Sequence, residues 1–198
     1  MIKVRKATLD DKKDFSNLML ISAPYFQILF SRRIHSVLQD LFCRHSNLFS
    51  FENVYFAEVD EKKAGMVLGY DWQTKKQENL KTGFLLFKRI GVVIICRLSL
   101  LMKFNATVGK LHEGEYYISN IATYPKYRGM GVGKRLMFEV EQEAEIMGAK
   151  RIVLDVEKNN IGAIGFYKKL GYEIIKEFSV PLQRDKILQF YRMTKELK

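Results

Sequence analysis

Cysteine, histidine and proline are scarce in this chain of 198 residues. The two cysteines, Cys43 and Cys96, lie far apart among apolar residues and form neither a CxxC pair nor a metal-binding spacing. The three histidines are equally scattered and have no cluster of acidic or thiol partners around them. We therefore expect no metal site, and we interpret both cysteines as free thiols in a reducing cytoplasm.

Long apolar runs are also missing, since a membrane-spanning helix needs about 18 or more uncharged apolar residues. The most apolar stretch, residues 84–104, is interrupted by Lys88, Arg89, Arg97 and Lys103. The first residues alternate apolar and basic side chains, which favours a strand over a signal peptide. These features predict a cytoplasmic protein, and they argue against a membrane partner.

Acidic residues are outnumbered, with 22 Asp and Glu against 33 Lys and Arg, so the net charge is +11. The basic residues are spread along the chain, and no aromatic-plus-basic motif for nucleic acid is present. We therefore do not expect nucleic acid as the partner. Binding of a polyanionic cofactor is a simpler explanation of the net positive charge.

The organisation of the chain indicates one α/β domain over residues 1–198, because glycine- and serine-rich linkers and internal repeats are absent. Hydrophobic periodicity predicts strands over residues 2–7, 54–59, 64–72, 115–123, 151–156, 172–180 and 187–195. It predicts helices from an N-cap at Thr8–Asp11 to an interruption at Pro24, and over 31–43, 134–147 and 160–170. Residues 74–110 predict two further helices broken near Gly91.

A glycine-rich turn follows the strand at 115–123 and precedes the helix at 134–147. Glycines allow positive φ and a close approach of a bulky anion, and N–H groups converge at the helix N-terminus. The turn therefore predicts a pyrophosphate-binding site, formed by Arg128, Gly129, Met130, Gly131, Val132, Gly133 and Lys134.

Two better-known glycine-rich motifs do not fit this turn. A dinucleotide-binding turn needs G-x-G-x-x-G, whereas the glycines here are spaced G-x-G-x-G. A nucleotide P-loop needs Ser or Thr after Gly-Lys, whereas Arg135 follows Lys134 here.

At these residues the chain resembles the GNAT superfamily of acyl-CoA-dependent N-acyltransferases. The hallmark of that family is Arg or Gln, two residues, Gly, one residue, and Gly or Ala, which Arg128, Gly131 and Gly133 match. The resemblance implies that the turn binds the pyrophosphate of acetyl-CoA. It also implies that the backbone of Ile121, Ala122 and Thr123 lines the pantetheine and the acetyl carbonyl.

A second segment is similar to the other signature of the family, which has Asn, Ala three residues later, Tyr seven later, and then Leu-Gly-Phe/Tyr. Asn160, Ala163, Tyr167, Leu170, Gly171 and Tyr172 match it. The resemblance implies that Asn160, Ala163 and Tyr167 contribute to the cofactor site. A helix N-cap for Asn160 and a packed core aromatic for Tyr167 are the alternatives.

The chemistry of amine acetylation gives these residues roles, since the thiolate of coenzyme A must be protonated when it leaves. The resemblance implies that the Tyr167 hydroxyl is this general acid. Many family members carry a glutamate as general base where this chain has Tyr117. Glu115, two residues earlier on the same strand face, is our tentative base. A water chain near Tyr117 and Ser119 is the other route for the proton. A solvated turn residue is the alternative interpretation of Glu115, and Asp155, Glu157 and Asp71 are weaker candidates for the base.

The acceptor side is the least determined part of the sequence. Residues 74–112 form an unusual apolar and basic insertion relative to the family, and would roof the acceptor pocket, contact a second subunit or lie on a membrane. A homodimer therefore stays open, and the acceptor is expected to be a small-molecule or peptide amine. Because Tyr117 replaces the glutamate, a non-catalytic acyl-CoA-binding sensor is the alternative function.

The resemblance also implies a definite fold. We expect a mixed, mostly antiparallel sheet of about seven strands with helices on both faces. We also expect the central strands to splay apart at the acetyl-CoA site.

Overall fold

The computed structural model of the chain describes residues 1–30, 33–90, 107–183 and 186–197. The described residues form seven strands: β1 Ile2–Lys6, β2 Val54–Val59, β3 Lys62–Asp71, β4 Glu115–Thr123, β5 Arg151–Glu157, β6 Glu173–Gln183 and β7 Lys186–Glu196. They also form six α-helices: α1 Lys12–Ser22, α2 Phe26–Phe30, α3 Ile34–Phe42, α4 Trp72–Ile90, α5 Val132–Ile146 and α6 Ile161–Lys169.

The seven strands lie in one sheet with the order β1-β2-β3-β4-β5-β7-β6. Neighbouring strands are antiparallel except β4 and β5, which run parallel. The connection from β4 to β5 passes through α5, as a parallel pair requires. This arrangement confirms the predicted mixed, mostly antiparallel sheet.

Helices cover both faces of the sheet, as predicted. On one face, α1 and α3 bury Phe15, Leu18 and Leu38 against Phe56 and Met66 of the sheet.

On the other face, α5 and α6 bury Leu136 and Ile164 against Val67, Ile118 and Leu154. Each fully buried side chain of this size contributes about 1.5–3 kcal/mol of transfer free energy. The two apolar layers therefore hold the sheet between them.

Most predicted element boundaries agree with the structure to within two or three residues. Pro24 separates α1 from α2, as expected from its missing N–H. The predicted strand at 64–72 ends one residue early, because Trp72 begins α4. Asp71 accepts the Thr74 N–H at 2.8 Å and so stabilises the N-terminus of α4.

The segment predicted as two helices over 74–110 is confirmed in its first half. The structure has α4 as a single helix of 19 residues that ends at Ile90. The predicted break near Gly91 and the second helix lie outside the described residues. Among the described helices, none combines the length and the apolar composition that a membrane span requires.

Candidate active site

The two parallel strands β4 and β5 separate halfway along β4. They pair from Glu115 opposite Arg151 to Ile118 opposite Leu154, and the pairing stops there. Beyond this point β4 continues beside β3, whereas β5 continues beside β7. A gap therefore opens between Asn120–Thr123 on β4 and the end of β5, which confirms the predicted splaying of the central strands.

A β-bulge lies in β4 at the start of the gap. Leu68 of β3 pairs with Asn120 and Gly69 pairs with Ile118, so Ser119 is the extra residue. The Asn120 side chain donates a hydrogen bond to the Ser22 hydroxyl of α1 at 2.8 Å. The bulge leaves Ile121 on the α5 face, and the edge of this segment that faces the gap has no strand partner.

The glycine-rich turn lies at the end of β4, next to the gap. Gly129 and Gly131 have φ of 78° and 85°, and Gly131 is the N-cap of α5. The first N–H groups of a helix have no acceptor within it, so those of Val132, Gly133 and Lys134 are available to a ligand. The residues from Arg128 to Gly131 are exposed to solvent.

The turn and the start of α5 carry three basic side chains. In the described residues, Arg128, Lys134 and Arg135 take part in no ion pair. Arg135 stacks over the ring of Phe138 at 5.2 Å. The helix dipole of α5 adds partial positive charge at the same place, so the turn is suited to a phosphate-bearing ligand.

The helix α6 packs closely against the turn because Gly133 has no side chain. A Cβ at Gly133 would lie 3.3 Å from the ring of Phe166, which is tighter than an ordinary contact. The Asn160 side chain caps α6 by accepting the Ala163 N–H at 3.1 Å. Asn160 and Ala163 therefore fix the start of the helix that carries Tyr167.

Tyr167 lies on the α5 face of the sheet. Its ring is buried between Phe166 and Tyr172, at centroid distances of 5.4 and 5.9 Å. Burial raises the pKa of its hydroxyl, which therefore stays protonated at neutral pH. No residue in the described ranges hydrogen-bonds this hydroxyl. Since every fully buried side-chain oxygen in these ranges has a hydrogen-bond partner, the Tyr167 oxygen is not itself fully buried. The hydroxyl is thus accessible to a ligand.

Glu115 lies far from the gap, at the opposite end of β4 from Thr123. Its buried carboxylate lies 2.7 Å from Arg151 Nη2 and accepts the His112 N–H at 2.7 Å. These partners fix the parallel start of β4 and β5. Glu115 and Tyr117 are two residues apart and so share a strand face. Glu115 nevertheless lies outside the gap, because a shared face does not fix the position along the strand.

Asp155 forms the main polar cluster on the face opposite Tyr167. Its buried carboxylate accepts two hydrogen bonds from Arg192 of β7, at 2.8 and 2.9 Å. It also accepts the Gly109 N–H at 2.7 Å and the Tyr117 hydroxyl at 3.2 Å. Burial and the charge of Asp155 raise the pKa of the Tyr117 hydroxyl well above its usual value.

This cluster was not predicted, because Arg192 belongs to no motif. The sequence signal was local: Asp155 stands between Leu154 and Val156, and Arg192 stands between Tyr191 and Met193. Asp71, another weaker candidate for the base, caps α4 at the far end of β3.

The comparisons with known proteins agree with this architecture. A model of the acetyltransferase (GNAT) family matches residues 17–172. The chain is 38% identical over 63 residues to GCN5-related N-acetyltransferase 4, chloroplastic, of Arabidopsis thaliana, which covers 32% of this chain and 22% of that protein. It is 32% identical over 72 residues to the uncharacterized N-acetyltransferase YobR of Bacillus subtilis, which covers 36% and 29%. The chain thus spans less than a third of the length of these curated relatives.

Solved structures show the same fold at low sequence identity. An N-acetyltransferase from Staphylococcus aureus Mu50 superposes with a TM-score of 0.73 and 18% identity, covering 98% of this chain and 100% of that one. A Bacillus subtilis acetyltransferase in complex with CoA gives a TM-score of 0.56 and 16% identity, covering 100% and 98%.

The chain therefore shares the open α/β fold of these solved acetyltransferases. Since the family model covers well over half of the chain, the protein belongs to the GNAT family of acetyltransferases. The resemblance drawn from the two sequence motifs is therefore confirmed.

Proposed function

We propose that the protein transfers the acetyl group of acetyl-CoA to a primary amine by direct attack in a ternary complex. The observation that carries this proposal is the position of the glycine-rich turn at the open end of the gap between β4 and β5. A ligand with a pyrophosphate at the turn can extend an acyl chain into the gap beside Ile121–Thr123. The CoA complex of the Bacillus subtilis neighbour supports this choice of donor.

The turn fits coenzyme A on charge as well as on shape. The N-terminal N–H groups and the dipole of α5 favour a polyanion, as do Arg128 and Lys134, which form no ion pair with any residue that the structure describes. We propose that the backbone from Arg128 to Lys134 holds the pyrophosphate.

The edge of β4 that faces the gap supplies the second element. Main-chain N–H groups of Ile121–Thr123 that point into the gap would stabilise the negative charge that develops on the thioester oxygen. The strand edge is rigid because its other side is paired with β3. It therefore provides donors that need no reorganisation during the reaction.

Tyr167 is the proposed general acid. Its protonated hydroxyl can donate to the leaving thiolate and regain a proton from solvent. Without a cysteine in the site motifs, a covalent acyl-enzyme is not part of this proposal.

The experiment is a measurement of coenzyme A release from acetyl-CoA with a panel of primary amines: benzylamine, spermidine, lysine and an alanine-starting peptide. We expect at least one amine to raise release above the rate of hydrolysis, with a stoichiometric N-acetyl product seen by mass spectrometry. Tight binding of acetyl-CoA with no amine-dependent release would instead favour a non-catalytic acyl-CoA-binding module.

A further inference from the structure

The side chains of β5 alternate between the two faces of the sheet. Ile152, Leu154 and Val156 lie in the apolar layer that contains Tyr167. Val153 packs against Tyr117 on the opposite face. Because strand residues two apart share a face, Asp155 and Glu157 point to the same side as Val153. Glu157 and Tyr167 therefore lie on opposite faces of the sheet.

Glu157 also lies level with the gap. The last pair between the parallel strands joins Ile118 to Leu154, and Glu157 is the third residue after Leu154. Three residues beyond Gly69 on the neighbouring β3 is Met66, which pairs with Ala122, so with the extra residue Ser119 counted this level corresponds to Ala122 on β4. Glu157 thus lies across the opening from the main-chain segment proposed to bind the thioester carbonyl.

The two carboxylates of β5 on this face, Asp155 and Glu157, differ in their partners. Asp155 is fully engaged by Arg192, Gly109 and Tyr117. By contrast, within the described ranges the Glu157 side chain makes no hydrogen bond and no ion pair. Its main-chain carbonyl accepts the Asn160 N–H at 2.9 Å, which fixes the end of β5 relative to α6.

We propose that Glu157, rather than Glu115, is the catalytic base that takes the proton from the acceptor amine. This inference rests on the proposed acetyl transfer. The acceptor would approach from the face that carries Tyr117 and Asp155, and the thiol would leave on the face that carries Tyr167.

The step balances as follows for an acceptor that arrives as an ammonium ion. Its proton passes to the Glu157 carboxylate, and the nitrogen lone pair forms a C–N bond with the carbonyl carbon. The C–S bond breaks, and the Tyr167 proton goes to the sulfur. The second nitrogen proton replaces that of Tyr167 through solvent, and Glu157 releases its proton to solvent. The net products are an N-acetyl amine, coenzyme A and one proton.

The surroundings of Glu157 suit this task. Burial raises its pKa, which brings a carboxylate closer to the working range of a base, while Lys186 of β7 opposes the shift. Burial raises the pKa of the Tyr25 hydroxyl, and the charges of Glu157 and Asp155 raise it further. Arg192 neutralises the charge of Asp155. Since the base acts only when ionised, the rate of transfer should fall as the pH drops through the pKa of Glu157.

The test compares Glu157→Gln with Glu173→Gln, a neutral replacement of an exposed carboxylate on β6. Rates are measured from pH 5 to 10 with the amine that the panel identifies. We expect Glu157→Gln to lower kcat/KM by about 10²-fold or more and to abolish the acidic limb due to this group. The affinity for acetyl-CoA and the melting temperature should be unchanged, and Glu157→Asp should restore part of the rate.

The outcomes separate the two proposals. If Glu157→Gln keeps the wild-type rate, or loses rate with the acidic limb unchanged, Glu157 is not the base, while amine acetylation stands. If no amine supports coenzyme A release by the wild-type protein, acetyl transfer to an amine fails, and the assignment of a base fails with it.

Discussion

Arg192 of β7 donates two hydrogen bonds to the buried carboxylate of Asp155 on β5, at 2.8 and 2.9 Å. Replacing Arg192 by Met leaves that carboxylate without its charge partner. Breaking a buried pair from one side costs about 3–5 kcal/mol. We expect Arg192→Met to lower the free energy of unfolding by an amount in this range, measured by urea denaturation.

The exposed pair of Lys158 and Glu177 is the control for this prediction. Lys158→Met should change the urea midpoint little, because solvent replaces the lost partner. Adding Asp155→Asn to Arg192→Met should recover part of the loss, as expected for coupled residues. Equal effects of Arg192→Met and Lys158→Met would contradict the importance of the buried pair.

Tyr167→Phe removes only a hydroxyl that makes no hydrogen bond within the described parts of the chain. We expect turnover to fall by about 10²-fold, the typical contribution of a general acid, with the acetyl-CoA dissociation constant retained. Tyr172→Phe removes a hydroxyl that is bonded to Glu141 instead, 3.2 Å away, and should leave turnover unchanged. Stopped-flow or steady-state thiol detection with both variants checks the difference.

Gly131 and Gly148 flank the two ends of α5, and both have positive φ, 85° and 74°. An alanine at either position costs about 1–2 kcal/mol of backbone strain. We expect both variants to be destabilised similarly, whereas only Gly131→Ala should weaken coenzyme A binding in calorimetry. Equal coenzyme A affinities of the two variants would argue against pyrophosphate binding at the turn.

Alkaline pH should destabilise the protein through its buried tyrosines. Burial raises the pKa of Tyr70 to about 12, and the nearby Asp155 adds to the shift. In the unfolded chain the Tyr70 hydroxyl ionises near pH 10. Its contribution to the free energy of unfolding is therefore complete below pH 10 and is lost as the pH rises towards 12. Urea midpoints from pH 9 to 12 should fall more steeply for the wild type than for Tyr70→Phe.

The sequence predicted the parts of the fold that depend on local patterns. Residues 54–59 and 115–123 are strands with the predicted bounds, because alternation and turn residues mark both ends. The glycine-rich turn was identified because one short segment contains both the glycine that permits positive φ at Gly131 and the start of a helix. Local periodicity carries this information without any knowledge of distant contacts.

The polar groups on the sheet face opposite Tyr167 could be placed only with the tertiary structure. Glu115 was chosen for its strand face, but its distance from the gap depends on where β4 and β5 stop pairing. Arg192 and Asp155 meet across strands that are 37 residues apart in sequence. The bulge at Ser119 was equally hidden, since one extra residue in a strand leaves no clear mark on hydrophobicity.

The alternation along β5 constrains how this protein can change over evolutionary time. Inserting or deleting one residue within Arg151–Glu157 would exchange the two faces, turning Val156 out of the apolar layer and forcing carboxylates into it. Length changes in this strand are therefore excluded, whereas substitutions on either face are not. Point mutations can thus change the proposed acceptor face of β5 while the apolar layer beside Tyr167 stays the same.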